Sequence, residues 1–346
     1  MKMKKMLAAC VCMVMAAAMV TGCGSSKPAD SSAPAADSST ASSQAAKSDY
    51  PQKPINAIVP FAPGGGSDIL TRSLMDFLEL PNNQKLVVVN VEGAAGYIGC
   101  QQAFNSPNDG YTILAHNPMD VVSYTLGGTT EQELYKELEL ICGVADDFNF
   151  LTTNKETGWT SLEEVVEYAK ANPGKIKVGN TGSMNCNMAD CIRVLEALGI
   201  KDLVTIVPYN SGADNKVANM GNHTQLSINT GADITSAVAS GDQVPLLVIS
   251  DRRSKSLPDV PCTKELGYDV VTTKPRGFYG PKGMSPEQIT ILQDAIKAAC
   301  ENEAFQQKIL DLGLEVNYVP GAELQTKIDG WVEDIKPVFE IMKEQG

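Results

Sequence analysis

The sequence predicts an α/β protein of two domains with largely parallel sheets. Short apolar runs alternate with stretches of helical spacing along most of the chain, as they do where helices connect parallel strands. The chain has 346 residues, and the part that follows a Ser/Ala-rich N-terminal segment is long enough for two ordinary domains. Glycine-rich or small polar turns follow several of the apolar runs, and ligands of open α/β sheets bind at such turns.

The N-terminus has the pattern of a bacterial lipoprotein signal. Three lysines among the first five residues precede an apolar core from Leu7 to Val20, which is too short for a mature membrane span. Val20-Thr21-Gly22-Cys23 resembles a lipobox. We therefore expect residues 1–22 to be a cleaved signal peptide and Cys23 to carry lipid on its thiol. The alternative is an ordinary signal peptide with an incidental cysteine.

Residues 23–49 are expected to connect this lipid to the folded chain. After Cys23 they are mostly Ser and Ala, a composition that cannot bury a core and stays disordered. A flexible segment of this length spans roughly 30 Å root-mean-square. Lipid and tether together predict an extracytoplasmic protein anchored at the outer face of the cytoplasmic membrane.

The overall charge limits the classes of partner. The chain has 28 basic and 41 acidic residues, and removal of the three signal lysines leaves 25 − 41 = −16. So acidic a chain disfavours nucleic-acid binding. It also means that an anionic ligand needs local hydrogen-bond donors, because the overall field repels it.

The cysteines indicate no metal site. Of the nine, Cys10 and Cys12 lie in the signal and Cys23 at the lipobox, which leaves six, and no Cys-x-x-Cys pair occurs. We expect buried free thiols rather than disulfides at the six, which are Cys100, Cys142, Cys186, Cys191, Cys262 and Cys300.

The most informative stretch is Pro60 to Asp68, with the sequence PFAPGGGSD. It follows a strand-like run, Ile55 to Val59, and precedes apolar residues of helical spacing. Glycines allow close backbone approach, and the N-terminus of a helix attracts anions. No lysine follows the glycines, so a Walker A loop is excluded, and the spacing is not that of a dinucleotide fingerprint.

Further turns of this kind follow other predicted strands. Lys85 to Val91 leads into Gly93-Ala94-Ala95-Gly96-Tyr97-Ile98-Gly99, and Ile176 to Val178 leads into a small polar turn before a helix from Met188 to Leu198. Such turns on adjacent parallel strands meet at one sheet edge. Helices are also predicted at Glu131 to Leu138, after a capping box at Thr160 to Glu163, after Ser285-Pro286, and from Glu323 to Lys343.

At this point the sequence resembles the substrate-binding proteins of the tripartite tricarboxylate transporters, the Bug-type receptors. The resemblance covers roughly residues 50–343 and rests on the order of several short motifs. These are Tyr50 to Ile55, the PFAPGGGSD turn, GAAGYIG, Asp109 to Leu114, Val207-Pro208-Tyr209, Arg252-Arg253 and Leu257 to Pro261.

The resemblance implies a two-lobed, periplasmic-binding-protein-like (Venus flytrap) fold with a ligand cleft. Lobe 1 would hold residues 50–152 and 275–346, and lobe 2 residues 153–274. It also implies a monomeric, non-enzymatic receptor without cofactor or metal, which captures a small carboxylate. Its partners would be a large and a small integral membrane subunit.

The resemblance further implies that backbone amides and hydroxyls of the turns hold the ligand. The expected ligand-binding residues are Pro63, Gly64, Gly65, Gly66, Ser67, Asp68, Ala95, Gly96, Ile98, His116, Asn117, Thr181, Gly182, Ser183, Asn185, Asn187, Tyr209 and Asn229. Many relatives carry a histidine about where Asn187 stands. Replacing Gly65 or Gly96 with a bulky residue is expected to abolish binding without unfolding the protein.

Several residues have more than one interpretation. Asp68 is better read as a brace of the loop than as a ligand contact, since a carboxylate repels an anion. Asp146-Asp147 is expected in a solvated turn, and Arg72 and His223 at the surface. A hydrolase using Ser67 or Ser183 with His116, and a surface adhesion lipoprotein, are the alternative functions.

Overall fold

The computed structural model describes residues 49–272 and 274–345. The predicted signal peptide, the lipidated Cys23 and nearly all of the tether fall on residues 1–48 and lie outside this range. Within it, no helix combines the length and the apolarity that a membrane crossing requires.

The first sheet has six strands in the order β11-β4-β10-β3-β1-β2. These are β1 (Ile55–Val59), β2 (Leu86–Asn90), β3 (Thr112–His116), β4 (Leu138–Asp147), β10 (Lys274–Pro281) and β11 (Glu315–Pro320). The second sheet has five strands in the order β7-β6-β8-β5-β9. These are β5 (Asn149–Asn154), β6 (Ile176–Thr181), β7 (Val204–Tyr209), β8 (Leu226–Thr230) and β9 (Gln243–Val248).

Eleven α-helices pack around the two sheets in the part of the chain described. They are α1 (Gly66–Met75), α2 (Tyr97–Phe104), α3 (Pro118–Leu126), α4 (Leu134–Glu137), α5 (Leu162–Ala171), α6 (Cys186–Ala197), α7 (Gly212–Met220), α8 (Gly231–Ala239), α9 (Pro286–Cys300), α10 (Glu303–Asp311) and α11 (Gly321–Gln345). The predicted cap at Ser285 is present, where the Ser285 hydroxyl accepts from the backbone N–H of Gln288 at 3.2 Å.

The two-lobed α/β architecture that the sequence predicted is confirmed, with one refinement about strand direction. Between the strands described above, parallel pairing is confined to β2-β1-β3 and β7-β6-β8. The pairs made by β4, β5, β9, β10 and β11 are antiparallel. The sheets are therefore mixed, and the parallel strands are the ones that the turns of interest follow.

Two local features lie at slightly different residues from those predicted. The cap of α5 is Ser161, whose partner is Glu164 and not Glu163. The helix expected at Glu131 to Leu138 shrinks to α4, because β4 already begins at Leu138. β4 is a completely interior strand whose residues are almost all buried, and its pairing with β10 overrides the local helical spacing.

Four clusters of buried apolar side chains form the interior. Two lie against the first sheet, one lies against the second sheet, and a small one surrounds Phe148 and Phe150 where the chain passes between the sheets. The six cysteines outside the N-terminal segment are buried and free, as expected.

Strand direction decides where the turns meet. Because β1, β2 and β3 are mutually parallel, the segments that follow them emerge at one edge of the first sheet. The segments after β6, β7 and β8 do the same in the second sheet. β10 runs antiparallel to β3, with Gly277 opposite His116. Its first residues therefore lie at the same edge at which β3 ends.

Candidate functional site

A cleft of about 370 Å³ lies where the carboxyl edges of the two sheets face each other. This volume is near the lower end of the range for small-molecule sites. The lining residues come from both sheets. They are Phe61, Ala62, Gly65, Gly66, Ser67, Asn117, Asp120, Asn149, Thr181, Asn187, Asn210, Ser211, Gly212, Ala213, Ile228, Asn229, Thr230, Asp233, Lys274 and Arg276.

The N-termini of four helices contribute to this lining. Residues 65–67 begin α1, Asn117 caps α3, residues 211–213 begin α7, and Thr230 caps α8. Each of these helices has nine or ten residues. Helix N-termini carry unpaired N–H groups and a partial positive charge. Four of them around one cleft favour an anionic ligand group there.

Asp68 holds the first glycine loop together from behind. Its side chain is almost completely buried and accepts hydrogen bonds from Gly64 N at 2.8 Å and Asn90 Nδ2 at 3.0 Å. It also pairs with Arg72 at 3.0 Å. Burial acts to raise the pKa of this carboxyl, but the hydrogen bonds from Arg72, Gly64 and Asn90 outweigh it and lower the pKa overall. These contacts agree with a bracing role.

A guanidinium that the sequence analysis missed lies against the same loop. Arg276 Nη1 donates to Ser67 Oγ at 3.0 Å, and Nη2 forms an ion pair with Asp147 at 2.7 Å. A Cβ at Gly66 would be 3.5 Å from Nη2, an ordinary van der Waals distance, so the guanidinium lies directly against this glycine. The buried Arg276 Nε–H has no hydrogen-bond partner among the described residues.

The expectation of a solvated turn at Asp146-Asp147 was wrong. Both residues end β4, and their side chains are buried. Asp147 is the partner of Arg276, while Asp146 accepts from Asn317 Nδ2 at 2.8 Å and contacts Arg252 at 3.4 Å. Buried carboxylates need such partners, and nothing in the local sequence identifies partners that are this far away.

A second cation, Lys274, lies two residues before Arg276 and was also missed. It lines the cleft and a neighbouring small cavity that Asp190 and Arg193 also line. Burial raises the pKa of Asp190 to about 6, although Lys274 and Arg193 act to lower it. Asp190 accepts a hydrogen bond from Asn149 Nδ2 at 3.0 Å.

Amide side chains organise the wall from the second sheet. Asn229 Oδ1 accepts from Asn215 Nδ2 at 3.0 Å and from Thr181 Oγ1 at 3.3 Å. Asn187 also lines the cleft, and its Oδ1 is buried without a hydrogen-bond partner among the described residues. This wall is therefore polar, and it contains one buried acceptor that the described residues leave unsatisfied.

The second glycine loop is not part of the cleft lining. The Ala95 carbonyl accepts from Tyr124 Oη at 3.0 Å, and the Ile98 side chain is 49% exposed. Gly96 has φ +98°, and a Cβ there would lie 2.6 Å from Tyr124 Oη. A bulky residue at Gly96 would therefore strain the fold itself, contrary to the expectation that it would only abolish binding.

His116 is an interior residue and does not line the cleft. Its Nε2 is 2.7 Å from Tyr124 Oη, and its ring lies edge-on to Phe61 with centroids 5.4 Å apart. Burial lowers the pKa of His116 to about 4, with a smaller opposing influence from Asp120. The imidazole is therefore neutral at neutral pH.

The expected ligand-binding residues thus divide into two groups, and their role as ligand contacts stays a prediction. Those that line the cleft are Gly65, Gly66, Ser67, Asn117, Thr181, Asn187 and Asn229. Those outside its lining are Pro63, Gly64, Asp68, Ala95, Gly96, Ile98, His116, Gly182, Ser183, Asn185 and Tyr209. Some of the latter support the wall: Asn185 caps α6, and Gly182 N donates to Tyr209 O at 2.9 Å.

Comparisons with known proteins are consistent with this geometry. The family model described as "Tripartite tricarboxylate transporter family receptor" matches residues 70–343. A UPF0065 protein from the gbd 5' region of Cupriavidus necator is 31% identical over 280 residues, which are 80% of this chain and 83% of the relative.

Two solved structures have the same fold. The periplasmic binding protein BugD superposes with a TM-score of 0.71 at 27% identity, over 85% of this chain and 99% of that one. A structure of an R. palustris protein with adipate superposes with a TM-score of 0.74 at 21% identity, over 85% of this chain and 99% of that one.

Proposed function

Since this chain belongs to the tripartite tricarboxylate transporter family of receptors, we propose that it binds a small carboxylate solute in the cleft. The single observation that carries the proposal is the convergence of four helix N-termini and Arg276 on one small cavity. Backbone N–H groups and a guanidinium form strong, charge-assisted hydrogen bonds with carboxylates. They provide the local donors that an acidic chain needs.

The proposed cellular role is delivery of this solute to a membrane transporter. The family supports a large and a small integral membrane subunit as partners. The lipobox at Val20 to Cys23 and the Ser/Ala-rich segment after it support a lipid-anchored, extracytoplasmic location. Closure of the lobes on the ligand would be a hinge motion, stabilised by contacts that form only in the closed state.

The arrangement around His116 supports binding rather than catalysis. A hydrolase would need His116 within hydrogen-bond reach of a nucleophilic serine. Instead, its Nε2 bonds to Tyr124, and the hydroxyl of Ser67 accepts from Arg276. Ser183 does not line the cleft. A serine whose oxygen accepts from a guanidinium is a donor to a ligand anion, not an activated nucleophile.

The test is a thermal-unfolding screen of the purified protein against small carboxylates and the corresponding amides. A ligand at a hundred times its Kd stabilises the folded state by about 2.7 kcal/mol, which raises the Tm by several degrees. A shift with a carboxylate but not with its amide is the expected result. Adipate belongs in the panel because the R. palustris structure contains it.

A matched pair of glycine variants links such a shift to the cleft. Gly65 lines the cleft, and a Cβ there meets only the Ala62 carbonyl at 3.3 Å, so Gly65→Leu should fold and lose the shift. Gly330 on α11 has open space around its Cβ position, and Gly330→Leu should keep it. No carboxylate-dependent shift in the wild type, or an undiminished shift in Gly65→Leu, would refute the proposal.

A further inference from the structure

Lys274 is a buried residue whose ammonium group borders the cleft and has no direct partner among the described residues. Lys274 is 3% exposed. Among residues 49–272 and 274–345, its side chain has no hydrogen bond and no ion pair. A buried charge is normally paired. An unpaired one that borders a cleft therefore indicates that a partner arrives from outside the chain.

Strand geometry directs Lys274 and Arg276 to the same space. They are two residues apart on β10, and alternate residues of a strand point to the same face. Both line the cleft. The rise along a strand separates their Cα atoms by about 7 Å, so the strand presents two positive charges that one small molecule can reach together.

Asp147 neutralises the charge of Arg276, but the guanidinium Nε–H and the Lys274 ammonium have no hydrogen-bond partner among the described residues. Asp147 satisfies only one N–H of the Arg276 guanidinium, at 2.7 Å. Asp120 and Asp233 lie in the first turns of α3 and α8, where a negative charge interacts favourably with the helix N-terminus. Asp233 also accepts from the Thr230 hydroxyl at 3.1 Å.

Asp190, on the far side of Lys274, is the strongest competitor for its charge. Its carboxylate already accepts from Asn149, and no ion pair joins it to Lys274 in the described part of the chain. The cavity between them is about 20 Å³, which is room for one water molecule. Lys274 therefore borders this water-sized cavity on one side and the ligand cleft on the other.

We propose that Lys274 and Arg276 together determine specificity, and that the receptor selects dicarboxylates over monocarboxylates. One carboxylate lies at Ser67 and Arg276, and the second pairs with Lys274. This inference rests on the proposed function, because it names the class of carboxylate that the same cleft binds. In this inference two side chains of β10 discriminate between dicarboxylates and monocarboxylates, whereas the glycine loop and the helix N-termini bind a carboxylate of either kind.

The experiment compares each dicarboxylate with its own monoamide. Malonate, succinate, glutarate and adipate are titrated calorimetrically into the full chain in detergent, and so are their monoamides, which keep the size but lose one charge. For at least one pair the wild type should bind the diacid about 10- to 100-fold more tightly, which is the usual worth of a hydrogen bond to a charged group. Lys274→Met should remove most of that preference, because the diacid loses much more affinity than its monoamide does.

Lys282→Met is the control for net charge, since Lys282 is exposed just beyond β10 and its removal should leave both affinities unchanged. Equal binding of diacid and monoamide by the wild type overturns the inference, and this result does not depend on any variant folding. A Lys274→Met protein that loses affinity equally for both, or that keeps the preference, also overturns it. The first of these results would mean that Lys274 serves the structure, through its interaction with the Asp190 carboxylate, and not the choice of ligand.

The outcomes separate the two proposals. Carboxylates that bind without a preference for diacids leave the receptor function intact and refute only the role of Lys274. If no diacid binds but another carboxylate stabilises the protein in the thermal screen, only the inference is refuted; if no carboxylate does either, the proposed function is refuted as well. Should Lys274→Met not fold, Lys274→Gln is measured in its place with the same expectation.

Discussion

Two buried titratable side chains, His116 and Asp190, should make opposite contributions to the pH dependence of stability. Burial lowers the pKa of His116 from 6.5 to about 4 and raises that of Asp190 from 3.8 to about 6. Below pH 6.5 the unfolded chain protonates its histidine but the folded chain does not, so this contribution falls as the pH drops towards 4. Below pH 6 the folded chain protonates Asp190 but the unfolded chain does not, so that contribution rises.

The two effects are similar in size. At about 1.4 kcal/mol per pH unit, the pKa difference of His116 corresponds to about 3 kcal/mol of stability lost between pH 6.5 and 4. The pKa difference of Asp190 corresponds to about 3 kcal/mol regained between pH 6 and 3.8. In the wild type the two contributions therefore largely cancel. Each is measured by comparing the wild type with a variant that lacks one of the two titratable groups.

The assay is urea unfolding of wild type, His116→Gln and Asp190→Asn between pH 4 and 7.5. Each variant is compared with the wild type at every pH, so that titrations common to both cancel. The free energy of unfolding of His116→Gln should improve by up to about 3 kcal/mol relative to the wild type as the pH falls from 7.5 to 4. That of Asp190→Asn should improve by a similar amount as the pH rises over the same range.

For each variant, one end of the pH range serves as an internal reference for the packing cost of the substitution. At pH 7.5 the wild-type histidine is neutral, so the difference measured there is the packing cost of the glutamine alone. At pH 4 the wild-type Asp190 is largely protonated, and the difference reports the packing cost of the asparagine. A His116→Gln difference that stays constant from pH 7.5 to 4, or that moves in the opposite direction, would refute the argument from burial.

Three further substitutions test the supports of the cleft. Asp147→Ala leaves the buried guanidinium of Arg276 without its charge partner and should lower the free energy of unfolding by about 3 kcal/mol or more in urea titrations; a loss under 1 kcal/mol would contradict the buried pair. Asp68→Ala removes the acceptor of the Gly64 N–H, so calorimetry should show weaker carboxylate binding with the thermal midpoint lowered by only a few degrees; unchanged affinity would mean that the brace is dispensable. Gly96→Val should lower the Tm even without ligand, because its Cβ would meet a tyrosine hydroxyl at 2.6 Å and its φ is +98°, and an unchanged Tm would show that this turn relaxes freely.

Local patterns in the sequence were sufficient for the α/β fold class and for the first glycine loop of the cleft. The run PFAPGGGSD predicts strand, turn and helix because apolar spacing and glycine act over a few residues, and the turn lines the cleft as expected. Arg276 could not be predicted in this way. It is 209 residues from Ser67 along the chain and reaches it only because β10 inserts between β3 and β4.

The second glycine loop shows the opposite error. GAAGYIG has the same local features as the first loop, and its strand is adjacent to β1 as predicted. However, β2 is the outermost strand of its sheet, and the cleft lies over the other side of β1. The local pattern predicted the turn, whereas the order of the strands, which decides its distance from the cleft, depends on pairing between distant segments.

The burial of the six cysteines makes the protein a natural reporter of its own opening. Each of the four apolar clusters contains at least one of these thiols. Burial raises the pKa of Cys100 and of Cys300 to about 12, and only the thiolate is nucleophilic. A native thiol is therefore both shielded and protonated. Alkylation at each cysteine then measures how often its own part of the interior is exposed to solvent, and no probe has to be introduced.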